Sequence, residues 1–178
     1  MIKKMIIGFL IKISFFINNT FRRPYYTFLV RLSAQKVGRH LMVNQKSKVT
    51  PNTIIGDYVG FNGMIIKGDG KVVFGNYFHS GSDCLIISSN HNYDHGKTIP
   101  YDNTHIKKDV IIEDNVWFGE RVIVLGKARI GEGAIIQAGS VVIGEIPKCA
   151  IAGGHPAKVF KYRDIKHYEK LKKEGKFY

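Results

Sequence analysis

Three histidines lie close together in the chain: His79, and the pair that bounds the run His91-Asn92-Tyr93-Asp94-His95-Gly96. An imidazole with an unperturbed pKa of about 6.5 suits proton removal near neutral pH. Three of them can also hold zinc, and spacing alone allows that as well. Asn90, Tyr93 and Asp94 surround His91 with amide, phenol and carboxylate groups, the types that recognise hydroxyls. Cys84 and Cys149 have neither zinc-ligand spacing nor the density of a disulfide scaffold. They read as core or inert thiols in a reducing cytoplasm.

The histidines need a scaffold, and the rest of the sequence describes one. An aliphatic or aromatic residue recurs every six positions through Ile112, Phe118, Val124, Ile130, Ile136 and Val142. Four positions on from each stand Val116, Val122, Ala128, Ala134, Ser140 and Ile146. The same beat runs earlier through Val37, Val43, Val49, Ile55 and Phe61, slips by one at Gly68-Asp69-Gly70, and resumes at Phe74, Ser80 and Ile86. A six-residue period fits a short strand plus a turn, stacked into columns, with three units closing a triangular coil. The body of the repeat spans residues 37–159. From Asn92 to Asp109 the beat vanishes into polar and turn-forming residues, including Pro100-Tyr101-Asp102-Asn103, which predicts an inserted loop over 92–109. Long loops inside compact repeats usually carry function, so the site is expected at the base of this one.

Composition bounds the partners. Lys and Arg number 27 against 14 Asp and Glu, a formal net charge of +13, which favours phosphate-bearing partners. No nucleic-acid motif accompanies the charge. Residues 1–36 read as a helical N-terminal segment. Residues 160–178 read as a basic C-terminal helix with Tyr162, Ile165, Tyr168 and Leu171 along one face. Both are expected to cover open coil ends. The stretch 1–17 is apolar but interrupted by Lys3, Lys4 and Lys12, and it reads as neither a signal peptide nor a membrane span. Two placements suit it equally: peripheral contact with the inner membrane face, where a lipid-linked saccharide would be found, or packing on the assembled protein.

The run Asp114-Asn115-Val116-Trp117-Phe118-Gly119, the stretch Ile130 to Val142, Ile146-Pro147 and the closing Ala152-Gly153-Gly154-His155-Pro156-Ala157-Lys158-Val159 resemble the hexapeptide-repeat acetyltransferases. The branch concerned contains galactoside, maltose, nodulation and polysaccharide O-acetyltransferases. The resemblance implies a left-handed parallel β-helix, a homotrimer with sites between neighbouring subunits, acetyl-CoA as co-substrate and no metal. It implies His91 as general base toward a sugar hydroxyl in bacterial surface polysaccharide biosynthesis, with a backbone N–H near Glu120 meeting the oxyanion. It also implies Gly119, Ala138 and Gly139 beside the pantetheine arm, Trp117 flanking the site, Lys158 and Lys161 toward the cofactor phosphates, and Asn90, Tyr93 and Asp94 toward the acceptor, together with Asn62, which lies about thirty residues before His91 and is therefore expected near it on stacked coils. Two alternatives stand beside it: N-acetylation of a nucleotide-linked amino sugar, and a carbonic-anhydrase-like zinc site at His79, His91 and His95. In the acyl-transfer reading His79 is structural. Ile112-Glu113, Leu125-Gly126-Lys127, Ile143-Gly144 and His155 depart from the family pattern.

Overall fold

The six-residue beat becomes a three-sided parallel β-helix. The computed structural model describes residues 2–178, and of residues 2–6, 9 and 12 the backbone alone. Met1 and the side chains of Lys3, Lys4 and Lys12 therefore lie outside the described residues. The first face stacks Lys36–Val37, Thr53–Ile55, Val72–Phe74, Val110–Ile112, Arg129–Ile130 and Glu145–Ile146, all parallel. The second stacks Met42–Gln45, Gly60–Asn62, His79–Ser82, Trp117–Phe118, Ile135–Ile136 and Ala150–Gly154. The third holds Ile65–Lys67, Leu85–Ile87, Ile123–Leu125 and Val141–Val142.

The predicted inward columns form the core. Ile112, Phe118, Val124, Ile130, Ile136 and Val142 are buried, as are Val116, Val122, Ala128, Ala134, Ser140 and Ile146. Phe61, Phe74, Phe78 and Phe118 interlock edge to face along the axis, so neighbouring coils share their largest buried rings. Cys84 and Cys149 are buried free thiols, as expected.

Corners repeat as regularly as strands. Between the first and second faces His40, Tyr58, Tyr77, Asn115, Gly133 and Cys149 take left-handed φ between 55 and 70°. Each such N–H from Tyr58 onward donates to the carbonyl of the coil before, as Tyr77 N does to Asp57 O at 2.9 Å. A left-handed conformation costs an ordinary residue about 1–2 kcal/mol. Here it is offset by stacking, since the rings of His40, Tyr58, Tyr77 and Phe177 form one pile with centroid spacings of 4.5, 4.9 and 4.4 Å. Glycine is required where coils approach closest: a Cβ on Gly131 would stand 2.5 Å from Lys148 N.

At the N-terminal end α1 (Ile2–Ile17), a π-helical turn (Asn18–Arg22) and α2 (Arg23–Ser33) follow one another, and Val30 of α2 is buried against the first coil. The C-terminal end differs from the predicted single helix over 160–178. Ala157–Tyr162 is a strand that folds back antiparallel on Ala150–Gly154, and α3 spans only Ile165–Lys173. The last coil would otherwise present an unpaired strand edge. Asp164 then opens α3 by accepting from His167 N at 3.0 Å. α3 lies along the side of the prism, so the strand, rather than the helix, covers the coil end. Tyr162 and Ile165 of the predicted apolar face are accordingly exposed, while Tyr168 and Leu171 are half-buried.

Candidate active site

The slip in the repeat and the inserted loop share one corner. Gly68 takes φ +98°, and a Cβ there would stand 2.6 Å from Ser89 N. Above it the chain leaves the prism as a hairpin: Ser89–His91 pairs antiparallel with His105–Lys107, placing His91 opposite His105. The base of the predicted loop is thus ordered sheet, and only its tip is turn. Asp102 ties the tip by accepting from Lys97 N at 2.8 Å, Thr104 N at 2.9 Å and the Thr104 hydroxyl. These hydrogen bonds, the Thr104 hydroxyl foremost, hold its carboxyl below the usual range.

His91 is exposed and gripped by rings. Tyr101 stacks on it with centroids 3.8 Å apart and planes 13° from parallel, and the His105 ring lies 4.5 Å away at 40°. With its amide oxygen turned toward Lys108, Asn90 accepts from Lys108 Nζ at 2.9 Å and donates to Ser89 O at 2.9 Å. His91, Tyr101, His105 and Asn90 line a cavity of about 560 Å³ together with Tyr93, Lys67, Gly68 and Asp69. An imidazole so placed can accept a proton from a bound hydroxyl or amine.

The other expected residues stand elsewhere in the chain. Asn62 lines a second cavity of about 620 Å³ on the second face, with His79, Trp117 and the C-terminal tail. Its amide is engaged: Nδ2 donates to Ser80 O at 2.6 Å and Oδ1 accepts from Asn44 Nδ2 at 2.8 Å. The expectation that Asn62 lies near His91 in the same chain is therefore corrected. The whole third face separates the corner after Asn62 from the corner that carries His91. Gly119, Glu120, Ala138 and Gly139 form a column where the second face turns into the third. Gly139 N donates to Glu120 O at 2.8 Å, and a Cβ on Gly119 would meet Ala138 N at 2.5 Å. Lys158 and Lys161 project from the last strand and are exposed. Asp94 sits in the hairpin tip, outside the lining of the His91 cavity. His79 Nε2 lies 3.2 Å from the Tyr178 carbonyl. Within one chain, then, His79 and His91 belong to different cavities.

Residues 109–144 match the model of the bacterial transferase hexapeptide family, described as six repeats. A galactoside O-acetyltransferase of Lactococcus lactis is 34% identical over 121 residues, 66% of this chain and 57% of that protein. Along residues 109–144 the chain carries the bacterial transferase hexapeptide repeat. This hexapeptide-repeat chain spans about half the length of the curated relatives it matches. A 2,3,4,5-tetrahydropyridine-2,6-dicarboxylate N-acetyltransferase of Clostridium perfringens is 39% identical over 64 residues, 36% of this chain and 27% of that one. Among solved structures, a hexapeptide-repeat acetyltransferase of Vibrio cholerae superposes with a TM-score of 0.69 at 22% identity, over 85% of this chain and 86% of that one. A galactoside acetyltransferase in complex with coenzyme A gives 0.66 at 22% identity, over 80% and 72%.

One departure of this hexapeptide-repeat chain has a structural reason. Glu113 pairs with Arg129 at 2.7 Å and accepts from Glu132 N at 3.0 Å, doing by side chain what the corner otherwise does by close backbone contact. Nothing in the structure explains His155. Sequence reasoning missed Tyr101 and His105 as neighbours of His91, and Lys108 as the partner of Asn90. The triplets Ser89-Asn90-His91 and His105-Ile106-Lys107 that pair to bring them together carry no period that would announce the pairing.

Proposed function

We propose that this chain transfers an acetyl group from acetyl-CoA to a sugar hydroxyl, with His91 as general base, in sites built between the subunits of a homotrimer. The observation that carries it is the position of His91 at one edge of an aliphatic face. Outward on the third face stand Ile65, Leu85, Ile123 and Val141 in one column and Ile87, Leu125 and Ile143 in the next, broken only by Lys67. A sheet face this apolar favours burial against copies of itself. The His91 corner bounds that face on one side and the Gly119–Ala138 column bounds it on the other. Three chains packed through it around a threefold axis bring the His91 edge of each beside the glycine column of the next.

In such a seam the pantetheine arm would lie along the Gly119, Ala138 and Gly139 column, flanked by Trp117, with Lys158 and Lys161 toward the phosphates. The His91 imidazole takes the acceptor's proton as its oxygen attacks the thioester carbonyl. A backbone N–H near Glu120 meets the oxyanion, and coenzyme A leaves as thiolate. Asn90 and Tyr93 face the acceptor, and Asn62 supports its own corner. The galactoside O-acetyltransferase relative supports a sugar hydroxyl as the accepting group, and a bacterial surface saccharide is the acceptor class proposed.

The N-acetyltransferase relative supports N-acylation as a second reading, with a nucleotide-linked amino sugar as its proposed acceptor. Thiol release from acetyl-CoA with a panel of sugars and nucleotide-linked amino sugars separates the two. With the best acceptor, His91→Ala is expected to lower kcat about 10²- to 10⁴-fold. Full activity in that variant would remove His91 from the chemistry. Stoichiometric zinc lost on the same substitution would favour the carbonic-anhydrase-like alternative instead.

A further inference from the structure

We propose that the N-terminal helical run is a docking surface for an anionic lipid bilayer. The run is continuous from Ile2 to Ser33, through α1, the π-helical turn and α2. One side of α2 is fixed to the first coil. Tyr26 and Val30 pack there, Thr27 Oγ1 accepts from Val43 N at 3.1 Å, and Arg23 Nε donates to Asn44 Oδ1 at 2.7 Å.

The opposite side carries Phe21, Tyr25, Phe28 and Leu32, spaced by four, three and four residues along one stripe, with exposures of 62, 58, 58 and 68%. Among the described residues, the principal contacts of α1 are with the π-helical turn that continues it. Ile7, Leu10, Ile11, Phe15 and Phe16 are each about half exposed or more, and at helical spacing they point around most of the circumference. A helix apolar this far round is normally covered by something.

Charge indicates by what. No Asp or Glu precedes Asp57, whereas Lys3, Lys4, Lys12, Arg22, Arg23, Arg31, Lys36, Arg39, Lys46 and Lys48 do. Helical spacing puts the exposed Arg22 and Arg31 on either side of the α2 stripe. Aromatic and aliphatic side chains between cationic flanks match the boundary between acyl chains and phosphates. A second copy of the chain would bring the same positive charge onto the same patch and be repelled by it. Lys3, Lys4 and Lys12 interrupt the apolar sequence of α1, and an apolar helix punctuated by lysines suits the interface. No helix among the described residues is long and apolar enough to cross a membrane.

The test is co-sedimentation of the full-length protein with vesicles of phosphatidylcholine alone, or of phosphatidylcholine and phosphatidylglycerol in equal parts. Wild type is expected to partition at least about tenfold more onto the anionic vesicles at ~0.1 M salt, and to release as salt rises. Arg22→Gln is expected to weaken binding about fivefold. The double variant Phe28→Asp/Leu32→Asp, at exposed positions, should stay in the supernatant while unfolding at the wild-type temperature. Wild type that ignores both vesicles, or a double variant that binds as wild type does, overturns the proposal. So does a wild type that stays in the supernatant while the double variant changes its mass in sedimentation velocity, which would assign the stripe to contacts between copies.

Discussion

The ring of His91 is oriented by stacking, since Tyr101 covers one face of it at 3.8 Å and His105 leans against it across the hairpin. Aromatic pairs are worth about 0.5–1.5 kcal/mol beyond their buried area, so Tyr101→Ala should lower kcat by up to about tenfold with KM little changed. Tyr101→Phe keeps the stacking surface and should restore the rate. Phenylalanine performing as poorly as alanine would show that the hydroxyl, rather than the stack, is what matters. The two thiols carry an independent expectation. Burial pushes Cys84 up to about 11 and raises Cys149 as well, so neither is a thiolate near neutrality. A disulfide reagent at about pH 8 should label both only when the protein is unfolded, and rapid labelling of the native chain would contradict the burial.

At the scale of elements, the prism is held by close coil contacts and α3 by charge. Gly131→Ala places a Cβ against Lys148 N, and the resulting shift should cost about 1–3 kcal/mol, read as a lower unfolding temperature without loss of the β-sheet signal. α3 is pinned through Glu132, which accepts from the Tyr168 hydroxyl at 2.9 Å and pairs with Lys172 and Lys148. Burial raises that carboxyl, but hydrogen bonds from Lys172 and Tyr168 outweigh it and leave it below its ordinary 4.5. A carboxylate depressed on folding contributes stability above its unfolded pKa and loses it as pH falls through the folded one. Hydrogen exchange in α3 should therefore quicken below about pH 4.5 relative to the coils, and Glu132→Gln should show that faster exchange already at neutral pH. The sequence made the coils legible because burial in a stacked repeat depends on position within six residues, so Ile112 through Val142 could be placed without contacts. The hairpin was not legible, because three-residue antiparallel strands such as His105–Lys107 carry no period. Asn62 was misplaced by counting along the chain instead of around the faces. The strand Ala157–Tyr162 was hidden by a basic composition that suits helix as well as edge strand.

For the whole molecule, the arrangement of faces makes a prediction that a self-contained site would not. One chain carries His91 at one edge of the third face and the Gly119–Ala138 column at the other, with the aliphatic columns between them. If the face is buried between copies, sedimentation should give three times the 20.1 kDa chain, and Ile143→Asp, in its exposed column, should reduce that mass. The seam itself can be tested by complementation. His91→Ala removes the base and leaves the column intact, while Ala138→Trp blocks the column and leaves the base intact, so each homotrimer is inactive. Unfolding and refolding the two together distributes chains at random, and about a quarter of the seams then join an intact base to an intact column. Recovery of activity toward that level places the two halves on different chains. A mixture as inactive as its parents, with the trimer mass intact, would place base and thioester within one chain and remove the seam from the mechanism.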